Sequence, residues 1–166
     1  MFLTPNDFTI QNGELMRPND QGYSFVFFFT YDCKDCDHVK PAFNYLSNHF
    51  KGINFCYMDM AQKNYMLMYM SHRSKTPIEY VPFLLLFANG RPIAQFFQDE
   101  ENPQNNIPKM ENFILANTRR HQQQTQGSKS GSSKPEGEGI PPYSIGIPGN
   151  LALKKVCKLY DNAYNK

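Results

Sequence analysis

The residues best able to do chemistry are two cysteines separated by two positions, Cys33 and Cys36. Thiols at this spacing either exchange disulfides with other molecules or supply half of the ligands of a zinc site. The pair directly follows residues 25–30, an unbroken run of aromatic and β-branched residues. Its chemistry therefore depends on the elements that hold it on either side.

The run 25–30 is typical of a strand that is buried on both faces, as in a parallel sheet. After the cysteines, apolar residues recur at three- and four-residue steps, which predicts a helix over residues 34–50. Free backbone N–H groups and the helix dipole at the start of such a helix favour a negative charge. We therefore expect Cys33 to be the better nucleophile and the pair to be a redox site.

A zinc site is the main alternative, and it needs two further ligands. Asp37 and His38 are close in sequence, but no second pair of cysteines or histidines follows at a ligand spacing. Cys56 lies inside an apolar run, where a small core side chain is the more common role of a cysteine. The sequence therefore favours redox chemistry, and we predict no metal and no organic cofactor.

Length and composition fit one ordinary domain, because 166 residues can form a core without disulfide staples. No signal peptide or membrane-spanning run is visible, so we expect a cytoplasmic protein, or a virion protein if the source is viral. The net charge is +2, with the basic excess dispersed over residues 119–166. Such dispersed charge predicts neither a nucleic-acid nor a membrane partner, and we expect a monomer.

Strands and helices are predicted to alternate along residues 1–120. Thr4 should cap a short opening helix, and Gly52 should end the helix that follows the cysteines. Asn89-Gly90 predicts a tight hairpin between two apolar strands. The predicted segments are strand 23–30, helix 34–50, strand 53–60, helix 61–74, hairpin 81–97 and a helix from residue 107. This order predicts an α/β fold, with a central mixed sheet flanked by helices on both faces.

The composition changes after residue 120. Residues 121–139 are almost entirely polar and are predicted to be a disordered linker. Residues 140–166 form a C-terminal tail in which 151–164 has the spacing of a short helix, marginal on its own. A flexible chain of about 30 residues averages roughly 30 Å end to end. Cys157 is therefore either an incidental thiol, an extra resolving thiol that reaches the active site, or a link to a partner.

Several stretches of the predicted domain resemble the thioredoxin family. Residues 31–36, Tyr-Asp-Cys-Lys-Asp-Cys, stand in the place of the family's Trp-Cys-Gly-Pro-Cys, and Pro41 matches the proline of the family's active-site helix. Residues 81–90, Val-Pro-Phe-Leu-Leu-Leu-Phe-Ala-Asn-Gly, are similar to the family's Ile-Pro-Thr-Leu-Leu-Leu-Phe-Lys-Asn-Gly. The resemblance covers residues 2–118 and implies a thioredoxin fold, with a flexible tail beyond it.

The resemblance also implies a thiol–disulfide oxidoreductase that acts on protein disulfides. Cys33 attacks a substrate disulfide as the thiolate, and Cys36, the more buried of the two, resolves the mixed disulfide. Pro82, cis in the family, shapes the substrate groove, while the Val81 backbone pairs with the bound peptide as a strand would. Asp32 takes the place of a tryptophan at the substrate site. The expected partners are protein disulfide substrates and an unidentified recycling reductase.

The chain departs from the family at positions that affect proton transfer and thiol chemistry. Phe27 replaces the family's buried aspartate, and Tyr57 replaces a lysine on the next central strand. Next to the first cysteine, Lys34 should favour the thiolate, whereas Asp32 and Asp35 should oppose it. The direction of electron flow stays open for this reason. An alternative function also stays open, that of a thioredoxin-like binding or structural module with little redox turnover.

Overall fold

Strands and helices alternate over residues 23–71, as the sequence predicts, and a β-hairpin that the sequence does not predict precedes them. The computed structural model describes residues 1–61, 64–129 and 157–158. In chain order the elements are β1 Thr9–Gln11, β2 Glu14–Met16, β3 Tyr23–Phe29, α1 Lys34–His49, β4 Ile53–Asp59, α2 Tyr65–Ser71, β5 Tyr80–Val81, β6 Phe83–Ala88, β7 Arg91–Phe96, α3 Asn106–Lys129 and β8 Cys157–Lys158. Short 3₁₀ helices at Pro5–Asp7 and Pro103–Asn105 precede β1 and α3.

The central sheet contains four strands in the order β4-β3-β6-β7. β3 pairs in parallel with β4 along its whole length, from Tyr23 to Phe29. β6 runs antiparallel to β3, and β7 runs antiparallel to β6. The predicted mixed sheet is confirmed, and α1 and α3 pack against it. β3, which leads to the cysteines, lies inside this sheet.

Aromatic rings fill both faces of the sheet, because successive side chains of β3 point to opposite sides. On one face, the Phe25 ring lies 5.5 Å from that of Phe43 in α1 and 5.8 Å from that of Phe113 in α3. On the other face, the Phe28 ring lies 5.8 Å from that of Phe8. The N-terminal segment covers this second face together with α2, which contacts β1. The end of β3 is therefore held firmly between two packed layers.

The turn between β6 and β7 has the backbone that its sequence predicts. Asn89 has φ 51° and Gly90 has φ 85°, both in the left-handed region, as in a type I′ turn. A Cβ at Gly90 would also collide with the backbone carbonyl of Arg17. Glycine is therefore required at this position by its dihedral angle and by its packing.

At the N-terminus, the predicted capped start is confirmed. The backbone N–H of Thr4 donates to Oδ2 of Asp7 at 2.8 Å, in a capping box. Before it, Phe2 forms a single parallel bridge with Tyr57. The segment before the 3₁₀ helix therefore pairs with β4 at a single bridge.

The ends of two helices differ from the predictions. α1 ends at its C-cap Phe50, whose N–H donates to the carbonyl of Leu46 at 2.8 Å. Gly52 is not the C-cap but lies in the loop that leads to β4, with φ 82°. α2 begins only at Tyr65 and is shorter than the predicted helix, of which residues 62–63 lie outside the described part.

α3 is longer than predicted, because it continues to Lys129 through residues that the sequence assigns to a disordered linker. Four of residues 121–129 are glutamine, which is a good helix former. The helix is also attached to the sheet at this level, since the Tyr23 hydroxyl lies 3.0 Å from Nδ1 of His121. The rest of the predicted linker lies outside the described residues.

The helix predicted for residues 151–164 is wrong at its centre, where the structure has β8. β8 pairs antiparallel with β5. A helix of about three turns is marginal in water, whereas a strand added to an open edge gains backbone hydrogen bonds with the domain. The other residues of the predicted tail helix lie outside the described part of the chain.

Candidate functional site

The candidate active site begins where β3 ends. Residues 30–32 lead the chain out of the sheet, and Cys33 is the N-cap of α1. Cys36 follows in the first turn of that helix and is part of its buried face. A buried strand and an amphipathic helix thus fix the two cysteines at the place that the sequence predicts.

The Cys33 sulfur is the side-chain acceptor that caps the N-terminus of α1. Its Sγ accepts a hydrogen bond from the backbone N–H of Cys36 at 3.2 Å. Serine, threonine, asparagine or aspartate usually provides this acceptor. A sulfur in this position faces the positive end of the helix dipole and a backbone donor, and both stabilise a thiolate more than a thiol.

Val81 and Pro82 lie on the other side of this sulfur. The Val81–Pro82 peptide bond is cis. The carbonyl oxygen of Val81 lies 3.7 Å from Cys33 Sγ, within the range of a hydrogen bond donated by the thiol. Both residues are buried. The structure therefore brings together Cys33, Cys36, Val81 and Pro82 around one sulfur atom.

Three charged residues surround this group. Asp32 and Lys34 are exposed on either side of Cys33, and Asp35 is half-buried in the first turn of α1. A carboxylate in the first turn interacts favourably with the helix dipole, but it also adds negative charge close to the sulfur. The role of Asp32 in substrate binding and the tuning roles of Lys34 and Asp35 stay predictions.

Lys40 is a further charged group near the site, and no sequence pattern reveals it. Its Nζ lies 5.5 Å from the ring centre of Phe29 and 5.7 Å from that of Tyr31. It also lies 3.8 Å from a carboxylate oxygen of Asp37. Tyr31, which is 67% exposed, is thereby held in place beside the cysteines as an aromatic surface that a peptide can contact.

Both cysteines are buried, with 0% relative exposure for each residue. The expectation that Cys36 is more buried than Cys33 is therefore wrong in this structure. Tyr31 and Asp32, the two residues before Cys33, are exposed. In this structure, an incoming disulfide therefore has no access to either cysteine.

Aromatic rings occupy the two places where the family has an aspartate and a lysine. Phe27 and Tyr57 are opposite each other in the parallel register, with ring centroids 5.8 Å apart. The Tyr57 hydroxyl donates to the side chain of Asn44, and burial raises the pKa of Tyr57. Neither ring can take up a proton from Cys36 at neutral pH, so neither of these two positions provides a proton acceptor.

The remaining cysteines differ from each other. Cys56 lies in β4 with 0% exposure, and burial raises the pKa of its thiol although the Arg17 guanidinium acts in the opposite direction. This is the environment of a core side chain, as predicted. Cys157 lies in β8, and its register partner is Val81 of the site.

Across the described residues, no group of three or more His, Cys, Asp or Glu side chains is arranged to hold a metal ion. His38, the histidine nearest to the cysteines in sequence, is exposed. Within the same part of the chain, no helix is both long enough and apolar enough to cross a bilayer.

Two viral proteins are similar to the chain over most of its length, while no protein-family model matches it. Uncharacterized protein 020R of Invertebrate iridescent virus 3 is 29% identical over 174 residues, which cover 99% of this chain and 95% of that protein. Uncharacterized protein 196R of Invertebrate iridescent virus 6 is 27% identical over 148 residues, which cover 86% of this chain and 75% of that protein.

Solved structures with a similar backbone include two proteins of other organisms. Thioredoxin f2 of Chlamydomonas reinhardtii has a TM-score of 0.46 and 21% identity, over 58% of this chain and 81% of that one. Human ERp44 has a TM-score of 0.48 and 17% identity, over 60% of this chain. The match spans only 28% of ERp44.

Proposed function

We propose that the protein is a thiol–disulfide oxidoreductase that exchanges disulfides with protein substrates through Cys33 and Cys36. The position of the Cys33 sulfur is the observation that supports this most directly. The sulfur caps a helix, accepts the Cys36 N–H at 3.2 Å and lies 3.7 Å from the carbonyl that precedes a cis proline. A thiol held in this way can lose its proton and attack a disulfide bound beside Val81.

The reaction consists of two exchange steps. The Cys33 thiolate attacks one sulfur of the substrate disulfide and forms a mixed disulfide, and the other substrate sulfur leaves as a thiolate that takes up a proton. The Cys36 thiolate then attacks Cys33 Sγ, which releases the second substrate thiol and forms the Cys33–Cys36 disulfide. Two electrons pass to the substrate, and a dithiol reductant returns the pair to its reduced form.

The substrate is bound chiefly through the backbone. The edge of β5 pairs with an extended peptide, while Pro82 keeps that edge against the sulfur. Asp32 and the exposed ring of Tyr31 lie on the other side of Cys33 and contact residues next to the substrate disulfide. Lys34 and Asp35 act on the thiolate through charges of opposite sign.

Insulin reduction, with dithiothreitol as the recycling reductant, tests the proposal. The wild type should reduce insulin faster than dithiothreitol alone, and Cys33→Ser should lose this activity. Cys36→Ser should retain the attack but stop at a mixed disulfide that mass spectrometry detects. Cys56→Ala is the matched control, since it removes a buried cysteine outside the site. Equal background rates for the wild type and Cys33→Ser would refute the proposal.

A thioredoxin-like binding or structural module is the second candidate function. Two observations favour it, the complete burial of Cys33 and the aromatic pair Phe27 and Tyr57 in place of the proton acceptor. In that case the edge beside Val81 holds a partner peptide without turnover. A Cys33 thiol that titrates near the ordinary value of about 8.5, together with no exchange in the insulin assay, would support this candidate.

A further inference from the structure

The short strand β8 occupies the edge at which a substrate peptide would bind. β8 and β5 form a two-stranded sheet that is separate from the central one. In their antiparallel register, Tyr80 lies opposite Lys158 and Val81 lies opposite Cys157. The backbone partner of Val81 is therefore a cysteine of the chain's own tail.

Val81 connects this cysteine with the active site. Directly opposite residues of an antiparallel pair have their Cα atoms about 4.5–5.5 Å apart. The carbonyl of the same residue lies 3.7 Å from Cys33 Sγ. The register thus places the backbone of Cys157 next to the residue whose carbonyl contacts the reactive sulfur.

The burial of Cys33 is a second, independent observation. The residue has 0% exposure although Tyr31, Asp32 and Lys34 around it are all exposed. A thiol that exchanges with protein disulfides needs an open approach, and here the approach along β5 is taken by β8. The docked strand and the buried Cys33 thus meet at the same residue, Val81.

The connection between α3 and β8 is long enough for this docking. Residues 130–156 join the two elements, and an extended chain of that length spans up to roughly 90 Å. Because the tail belongs to the same chain, its local concentration at the site exceeds that of a separate thiol, typically reaching about the millimolar range.

We propose that Cys157 is a third redox cysteine and that its segment is an internal substrate of the active site. This proposal rests on the exchange activity proposed above. After turnover has formed the Cys33–Cys36 disulfide, the Cys157 thiolate attacks Cys33 Sγ. Cys36 leaves as a thiolate and takes up a proton. One disulfide replaces another, so no oxidant is needed beyond the substrate disulfide. The Cys33–Cys157 bond then holds β8 on β5 and keeps peptides away from that edge.

Disulfide mapping of the full-length chain tests this proposal. Trypsin cleaves after Lys34, Lys155 and Lys158, so the three redox cysteines fall in separate peptides. The reduced protein is treated with oxidised glutathione, the remaining thiols are alkylated, and the digest is analysed by mass spectrometry. We expect a monomer with a Cys33–Cys157 link in the wild type.

The Cys36→Ser variant sharpens the result, because it cannot form the competing disulfide. We expect a higher yield of the Cys33–Cys157 link in this variant. If Cys33 carries only glutathione there, the proposal for the tail is overturned. If the wild type reduces insulin and forms only the Cys33–Cys36 link, this proposal fails while the proposed function stands. If Cys33 forms no disulfide with any thiol, both fail.

The docking of β8 has its own readout, which does not depend on the Cys157 sulfur. Lys158→Pro removes a backbone N–H from the strand and disfavours its pairing, while all four cysteines stay in place. We expect severalfold faster alkylation of Cys33 by iodoacetamide in the reduced protein. Lys166→Pro, the same substitution outside β8, is the matched control and should leave the rate unchanged. An unchanged rate in Lys158→Pro would overturn the docking.

Discussion

At the scale of single residues, the Cys33 sulfur has a structural and a chemical role at once. It caps α1 through the Cys36 N–H, and the same contact stabilises the thiolate that the proposed reaction needs. Serine is a preferred N-cap residue and alanine is not. Substitution by serine therefore removes the reactive sulfur and keeps the cap, which makes it the cleaner test of chemistry.

The capping role of Cys33 leads to a stability prediction. Cys33→Ala should have a free energy of unfolding about 1 kcal/mol lower than Cys33→Ser, because only the serine hydroxyl can accept the Cys36 N–H. Urea unfolding of the two variants, followed by circular dichroism, measures the difference. Equal midpoints would show that the hydrogen bond to sulfur contributes nothing to the stability of α1.

The charges next to Cys33 should shift its thiolate fraction in opposite directions. Two unit charges at about 6–8 Å in water interact by roughly 0.5–0.7 kcal/mol, a factor of about two to three. Lys34→Gln should lower the thiolate fraction by such a factor, and Asp35→Asn should raise it, as followed by thiolate absorbance against pH. Lys51→Gln, a lysine beyond the far end of α1, is the control. Shifts of the same sign in Lys34→Gln and Asp35→Asn would contradict the assigned tuning.

Cys56 should be unreactive as long as the protein is folded. Burial raises the pKa of its thiol and also excludes reagents from it. At neutral pH we expect iodoacetamide to leave Cys56 unmodified in the native protein and to modify it once urea unfolds the chain. Peptide mass spectrometry at both urea concentrations checks this. Native-state modification at the rate of an exposed thiol would show that the core opens around β4.

At the scale of elements, the sequence predicts those parts that local chemistry determines. The aromatic run of β3 and the Asn89-Gly90 turn have strong signals, and both are found as predicted. The length of α3 and the existence of β8 were missed, because they depend on contacts with Tyr23 and with the edge of β5 that no local pattern encodes.

In the candidate site, too, local sequence predicts some features and not others. The position of both cysteines at a strand–helix junction follows from apolar patterning alone. Only the family resemblance predicts that Val81 and Pro82 lie across from Cys33. This placement depends on how strands far apart in sequence pair. The burial of Cys33 is not predicted, because it depends on how parts of the chain far apart in sequence pack together.

The hairpin between β6 and β7 provides a test of close packing with an internal control. Gly52 and Gly90 both have φ above 80°, but a Cβ meets nothing within 4 Å at Gly52 and collides with the Arg17 carbonyl at Gly90. We expect Gly52→Ala to cost about 1–2 kcal/mol of unfolding free energy and Gly90→Ala about 2–5 kcal/mol. Urea unfolding measures both. Equal losses would mean that the backbone near Arg17 moves aside at little cost.

At the scale of the whole molecule, both described ends of the chain add backbone to strand edges. The N–H of Leu3 donates to the Tyr57 carbonyl at 2.8 Å, so the N-terminus lies along β4. β8 lies along β5, on the side of the redox site. The N-terminal contact belongs to the core, whereas β8 adds to a separate two-stranded sheet. Loss of the Cys157 thiol should therefore change the chemistry of the site and leave the stability of the domain unaltered.

The contact between α3 and β3 should make that stability depend on pH through His121. Burial lowers the pKa of His121, and the charge of Arg91 acts in the same direction. Its ring lies 5.6 Å from that of Tyr23, and its Nδ1 lies 3.0 Å from the Tyr23 hydroxyl. At pH values between the folded-state and the unfolded-state pKa of His121, the unfolded chain binds more protons than the folded chain. His121 therefore makes its full contribution to the free energy of unfolding above its unfolded-state pKa of about 6.5. This contribution is lost as the pH falls through the lower pKa of the folded state.

Urea unfolding of the wild type and His121→Gln at about pH 8 and about pH 5 measures this contribution. The wild type should lose more free energy of unfolding between the two pH values than His121→Gln, which has no titrating ring at this contact. His38→Gln, at an exposed histidine, should behave like the wild type. Asp99, whose pKa is lowered to about 2 by its contact with Lys109, loses its contribution only at lower pH and does not affect this comparison. Parallel pH dependences in the wild type and His121→Gln would show that α3 is not held at Tyr23 by a neutral imidazole.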